Sequence, residues 1–172
     1  MGEWILLAAG TLFLYACLHG ILYLLRLRRR GMIHRKDYQD PRGRFSFQYP
    51  AEWDLEEREE RLLLITHDHD GKVEIVLVPK STNNPPANEF LKGTIAASGI
   101  QLDEPAIHEI RVQAGLGAYF ESRATRDFER FYLQEWVLDA GEFPILLSYR
   151  CSVLYGLIDG FFIDQLVKTI RV

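Results

Sequence analysis

Residues 45–53 decide the fold, and they read Phe45-Ser46-Phe47-Gln48-Tyr49-Pro50-Ala51-Glu52-Trp53. Phe45, Phe47 and Tyr49 alternate with polar residues, so they fall on one face of an extended strand. Pro50 cannot donate a hydrogen bond to a neighbouring strand, so the strand ends there. This stretch therefore predicts a first strand with one buried face, followed by a turn.

In the rest of the chain apolar and polar residues alternate, as they do in β-strands, except in two segments with helical spacing. Asp70-Gly71 closes a hairpin turn, since this pair tolerates positive φ angles, and Gly99 ends an amphipathic helix. A second helix at the end of the chain has apolar residues at spacings of three and four. The predicted elements are strands over 44–55, 62–66 and 72–79, a helix over 90–98, strands over 107–112, 118–126, 128–138 and 143–153, and a helix over 159–170. This order predicts an α+β fold, a twisted antiparallel sheet covered by helices.

The opening strand resembles that of the PsbP-like superfamily, which includes PsbP, DcrB-type and Mog-type domains, with its Phe-x-x-x-x-Pro-x-x-Trp pattern. Gly115-Leu116-Gly117-Ala118 and Leu166-Val167-Lys168-Thr169-Ile170 are similar to two later packing motifs of that family. The resemblance covers residues 43–172. It implies a PsbP-like domain and the role of an assembly factor or partner-binding module rather than an enzyme. It identifies no catalytic residue.

The N-terminus carries a long apolar run, residues 4–25, which contains no Asp, Glu, Lys or Arg and one histidine, His19. This length meets the roughly 20 residues that a helix needs to cross a bilayer, so we expect a transmembrane helix over 1–27. A basic linker over 28–43 and the α+β domain over 44–172 follow. The membrane-flanking basic residues are Arg26, Arg28, Arg29, Arg30, Arg35 and Lys36. The positive-inside bias then predicts a single-pass membrane protein with its N-terminus outside and its domain in the cytoplasm.

Charge and cysteine usage limit the partners and cofactors of the domain. Residues 37–172 hold 23 acidic and 14 basic residues, a formal charge of about −9, which disfavours nucleic acid as a partner. The chain has two cysteines, too few for a disulfide framework. No sequence motif indicates a cofactor.

Two alternative functions remain open at this stage. His67 and His69 stand with two aspartates in one turn, and imidazole and carboxylate are ligands that zinc and manganese accept. Such a site would make the chain a metal-dependent hydrolase or a metal sensor, although adjacent turn residues rarely converge on one ion. The other alternative is an exported domain that binds a small ligand.

The densest aromatic cluster lies on the strands around residues 119–136. Alternation places Tyr132 and Trp136 on the face opposite Phe131 and Leu133, so one of the two sets can be exposed. Exposed aromatic residues on an acidic surface are typical of a protein contact. We therefore expect a non-enzymatic, membrane-tethered domain, an accessory or assembly factor of a membrane complex, with Tyr132 and Trp136 as candidate partner-binding residues.

Overall fold

A computed structural model describes residues 15, 18, 20, 34–59, 61–66, 70–79, 85–103, 105–140, 143–153 and 155–172. The chain divides into two units, Met1–His34 and Arg35–Val172. All the strands among the described residues, and both helices whose bounds are given below, belong to the second unit.

The second unit contains strands and helices in the order five strands, helix, five strands, helix. Their bounds are β1 (Arg35–Gln39), β2 (Ser46–Pro50), β3 (Asp54–Arg58), β4 (Arg61–Ile65), β5 (Lys72–Leu77), α1 (Ala87–Ser98), β6 (Gln101–Asp103), β7 (His108–Val112), β8 (Gly115–Arg126), β9 (Glu129–Asp139), β10 (Ile145–Cys151) and α2 (Gly156–Thr169). This arrangement confirms the antiparallel sheet and the two covering helices that the periodicity predicts.

The main sheet has the order β3-β4-β5-β10-β9-β8-β6, and β7 also pairs with β8. Every pairing is antiparallel. Strands β1 and β2 form a separate two-stranded sheet. The longest pairing joins β8 to β9, from Leu116↔Asp139 to Arg126↔Glu129, and it makes one long hairpin.

Both faces of the main sheet are covered, because apolar residues occupy both sets of alternate positions. On one face, Ile75, Leu147 and Trp136 lie in a row across neighbouring strands, beneath α2 and the β1–β2 hairpin. On the other face, Phe120 and its neighbours pack against Leu91 of α1. The aromatic side chains of the opening strand, Phe45, Phe47 and Tyr49, are all buried in the first of these cores, as their alternation predicts.

The turn between β1 and β2 is held by one buried carboxylate. Asp40 accepts hydrogen bonds from Arg44 Nε at 2.9 Å and from an Arg44 terminal nitrogen at 2.8 Å. It also accepts the backbone N–H groups of Arg42 and Arg44, both at 3.1 Å. The Arg44 guanidinium, hydrogen-bonded to this carboxylate, holds the pKa of Asp40 below its usual value.

A glycine lies at one end of each of these two helices. Helix α1 ends at Gly99, whose φ of 66° is the left-handed conformation that the sequence predicts there. Helix α2 begins at Gly156, where a Cβ atom would overlap the ring of Tyr132. The close approach of α2 to β9 therefore depends on the missing side chain.

The prediction of an N-terminal membrane-spanning helix needs correction. In the part of the chain that the structure describes, no helix is both long enough and apolar enough to cross a membrane. Helices α1 and α2 have 12 and 14 residues, whereas a span needs about 20. This finding contradicts the predicted N-terminal transmembrane helix and the single-pass localisation with an outside N-terminus and a cytoplasmic domain. The predicted division of the chain at residues 27 and 43 stays a prediction. Within 1–27 only Tyr15, Leu18 and Gly20 are described, as helical, and the other residues lie outside the described residues.

The sequence reasoning also missed short strands. Strand β1 lies inside the range predicted as a basic linker, and Arg35 and Lys36 are its first residues, paired with Pro50 and Tyr49. Four of the predicted membrane-flanking residues, Arg26, Arg28, Arg29 and Arg30, lie outside the described residues. Strand β6 has only three residues and pairs with the distal part of β8. The compact unit therefore starts at Arg35.

Candidate functional site

The tip of the β8–β9 hairpin has an unusual backbone. The register of the two strands runs to the pair Arg126↔Glu129, so only Asp127 and Phe128 form the loop. Both residues have positive φ angles, 52° and 69°. Two positive φ angles in a two-residue loop are the signature of a type I′ turn, whose twist matches that of the flanking strands.

Phe128 occupies the position in this turn where glycine is preferred. A bulky side chain at positive φ is a genuine conformational outlier, because its Cβ approaches the following carbonyl oxygen. The ring is also fully exposed, more so than any other large apolar side chain that the structure describes. The residue thus carries a conformational cost and a hydration cost. The fold of the described residues gains no buried area from this ring.

Charged residues of both signs surround this aromatic tip. Arg126 lies 3.7 Å from Asp127, Arg130 lies 2.8 Å from Asp103, and Arg150 lies 3.6 Å from Glu129. These side chains are about half exposed or more, so the pairs add little to stability. An exposed aromatic residue with arginines around it is the composition typical of the energetic centre of a protein interface.

A cleft of about 590 Å³ lies next to the tip, where β9 begins, β10 ends and β5 begins. The Arg150 guanidinium stacks over the Phe131 ring, 3.8 Å from its centroid. Asp70 accepts the backbone N–H of Ser152 at 3.2 Å. The residues lining the cleft are Asp70, Lys72, Glu129, Arg130, Phe131, Arg150, Cys151 and Ser152.

The two residues predicted to contact a partner, Tyr132 and Trp136, lie beneath other elements. Trp136 is 5% exposed and stacks on Tyr119, with 4.2 Å between ring centroids. The Tyr132 ring lies against Gly156 of α2, and its hydroxyl donates a hydrogen bond to Glu121 at 2.7 Å. The prediction assumed an open face, but α2 covers that face. A role for either residue in partner binding stays a prediction.

The metal ligands proposed from the sequence cannot be placed. His67 and His69 lie outside the described residues. Among the residues that the structure does describe, no group of three or more histidine, cysteine, aspartate or glutamate side chains is arranged to hold a metal ion. The imidazole of His108, on β7, lies against Tyr119 with 5.1 Å between ring centroids.

The buried titratable groups have partners inside the fold. Tyr149 donates a hydrogen bond to Asp159 at 2.6 Å, and Glu135 lies 3.4 Å from the Ser148 hydroxyl. Burial raises the pKa of Glu135, and it raises the pKa of the Cys151 thiol to about 12, which leaves this cysteine protonated and unreactive at neutral pH. These groups stabilise the core. Cys151 also lines the cleft beside the hairpin tip, but its protonated thiol is not an activated nucleophile.

Comparison of the sequence with family models finds no match, and neither does comparison with curated proteins. Solved structures do match. Cyanobacterial PsbP (CyanoP) from Synechocystis sp. PCC 6803 superposes with a TM-score of 0.62 at 11% identity, over 81% of this chain and 92% of that one. A point mutant of the protein Mog1 gives a TM-score of 0.57 at 9% identity, over 81% of this chain and 96% of Mog1.

The chain has a PsbP-like fold. A further match, LpqN, involved in cell envelope biogenesis of Mycobacterium tuberculosis, has a TM-score of 0.50 at 8% identity, over 80% of this chain and 91% of LpqN. At such low identities the likeness concerns the PsbP-like fold alone. The predicted PsbP-like fold is therefore confirmed as a fold, and binding residues have to be found in this chain itself.

Proposed function

We propose that this chain is a non-enzymatic accessory domain that binds a protein partner through the tip of its β8–β9 hairpin. The observation that carries the proposal is Phe128, a fully exposed aromatic side chain at a positive φ of 69° in a two-residue turn. Natural sequences retain such costly residues where a function requires them. The internal pairing of the buried titratable groups agrees with a role in binding rather than in catalysis.

The geometry of the tip suits docking. A two-residue turn at the end of strands of 12 and 11 residues is a stiff support, so little entropy is lost when the tip is immobilised. Phe128 can insert into an apolar pocket of a partner, while the surrounding arginines form a polar rim. A single well-buried aromatic anchor contributes about 2 kcal/mol or more to a protein interface.

The test is co-purification of the partner with the full chain from the cell that makes it, followed by quantitative mass spectrometry. We expect F128A to reduce recovery of the specific partner at least ten-fold, because ten-fold corresponds to about 1.4 kcal/mol. The matched control is L116A, which removes another exposed apolar side chain, 59% exposed, near the opposite end of β8.

L116A should change the recovery less than two-fold. Full retention of the partner by F128A would contradict the proposal. So would equal losses from F128A and L116A, since they would indicate a general effect of surface apolarity instead of a defined site.

A further inference from the structure

Three basic residues line the cleft beside the hairpin tip, and two of them, Lys72 and Arg150, are direct cross-strand neighbours on one face of the sheet. Arg130 alternates with Phe131 along β9, so its side chain lies on the opposite face, where it pairs with Asp103 at 2.8 Å. Lys72 begins β5, Arg130 follows the tip on β9, and Arg150 lies near the end of β10. Glu129 and Arg130, which line the cleft, directly follow Phe128 in the chain, so the cleft begins next to the aromatic tip.

Arg150 is prepared for an anionic ligand. Its guanidinium is stacked 3.8 Å from the centroid of the Phe131 ring, and Phe131 is itself only 4% exposed. The stacking fixes the plane of the guanidinium, whereas its nearest carboxylate, Glu129, lies at 3.6 Å, beyond the range of a hydrogen bond. A planar guanidinium held in this way presents its N–H groups in the geometry that binds a carboxylate.

The acidic residues of the cleft only partly balance its basic residues. Asp70 is engaged by the backbone N–H of Ser152, and Glu129 lies near Arg150. Lys72 makes no ion pair with any residue that the structure describes. The three basic and two acidic residues that line the cleft leave one positive charge there, on a domain whose residues 37–172 carry about −9. Arg130 is paired with Asp103 and Arg150 has Glu129 at 3.6 Å, so this charge belongs to Lys72.

We infer that this cleft binds the carboxylates of an acidic segment of the protein partner that receives Phe128. This inference rests on the proposed function and names the chemistry of the partner. The partner presents an apolar pocket for the ring and, next to it, two or more carboxylates for Arg150 and Lys72. The net negative charge of the domain disfavours nucleic acid, which carries a dense line of phosphates.

The test is a titration of the isotope-labelled full chain at low ionic strength, monitored through the NMR chemical shifts of its backbone amides. The probes are tetraglutamate, tetraglutamine and inorganic phosphate. We expect tetraglutamate to shift the amides of Lys72, Arg130, Arg150 and Ser152 in a saturable, salt-sensitive way. Tetraglutamine should cause no shift of these amide resonances, and phosphate should bind more weakly than tetraglutamate.

Three variants sharpen this titration. R150Q should weaken tetraglutamate binding at least five-fold, and R150K should give an intermediate loss because a lysine keeps the charge without the planar fork. R111Q, with the same change of charge on exposed β7 outside the cleft, should stay within two-fold of the wild type. Absence of localised shifts, equal shifts with tetraglutamine, or tighter binding of phosphate would each overturn the inference.

The failures of the two proposals are distinguishable. F128A should bind tetraglutamate as the wild type does, since its ring is not part of the cleft. If tetraglutamate causes no amide shifts in the wild type while F128A still loses the partner, docking through the tip is supported. The inference that the partner carries an acidic segment is then wrong. If tetraglutamate binds as expected while F128A keeps the partner, the cleft stands and docking through Phe128 is wrong.

Discussion

At the scale of single residues, Phe128 departs from what its own turn requires. A type I′ turn favours Asn-Gly or Asp-Gly, and this chain has Asp127 in the first position but a phenylalanine in the second. The sequence contained this signal, an aspartate and a phenylalanine between two alternating runs. The sequence reasoning counted Phe128 among the aromatic residues of a strand because the loop has only two residues.

The conformational cost of a phenylalanine at positive φ predicts that glycine at position 128 stabilises the free domain. F128G should raise the free energy of unfolding by about 0.5–1 kcal/mol, because glycine adopts positive φ without the Cβ clash. F128A keeps a Cβ in the same conformation and should stay within about 0.5 kcal/mol of the wild type. Urea unfolding of the three proteins measures this, and a large loss of stability in F128G would show that the ring supports the fold.

Asp40 predicts a pH dependence of stability. Its folded pKa is lowered by Arg44, so its contribution is present above the unfolded pKa of about 4 and is lost as the pH falls through the folded value. D40N should therefore be less stable at neutral pH and should lose less stability between about pH 5 and pH 2. Urea unfolding at a series of pH values tests this, with D139N, an exposed aspartate, as the control. Parallel curves for D40N and the wild type would contradict it.

At the scale of elements, the strong periodic segments were predictable and the short ones were not. The alternation of Phe45, Phe47 and Tyr49, the helical spacing before Gly99 and the long runs of β8 and β9 locate their elements from sequence. Strand β1 buries one residue, Tyr38, and β6 has three residues, so neither shows a periodic pattern. These two strands form because they pair with β2 and β8, which lie elsewhere in the chain.

Replacing two helical glycines by alanine should change the free energy of unfolding in opposite directions, because one of them lies in the contact between α2 and β9 and the other does not. G156A should lower the free energy of unfolding by about 1–3 kcal/mol, because the new methyl group overlaps the Tyr132 ring. G93A, in α1, meets no atom within 4 Å and should raise it by about 0.5–1 kcal/mol through helix propensity. Thermal unfolding of both variants gives the comparison. A G156A protein as stable as the wild type would mean that α2 does not approach β9 so closely.

At the scale of the whole molecule, the candidate site depends on which faces of the sheet are covered. Sequence alternation identified Tyr132 and Trp136 as one face of β9, but it could not show that α2 covers that face. Helix α1 covers the opposite face over β8 and β9. The covering helices are distant in sequence, so the exposed aromatic residue could be identified only from the folded chain.

Site-specific photo-crosslinking shows whether Phe128 contacts a protein partner. Benzoylphenylalanine replaces Phe128 in the full chain, or replaces exposed Leu116 as the control, and the cell that makes the protein is irradiated. We expect one dominant cross-linked protein from position 128 and little from position 116. The same cross-links from both positions, or none from position 128, would contradict it.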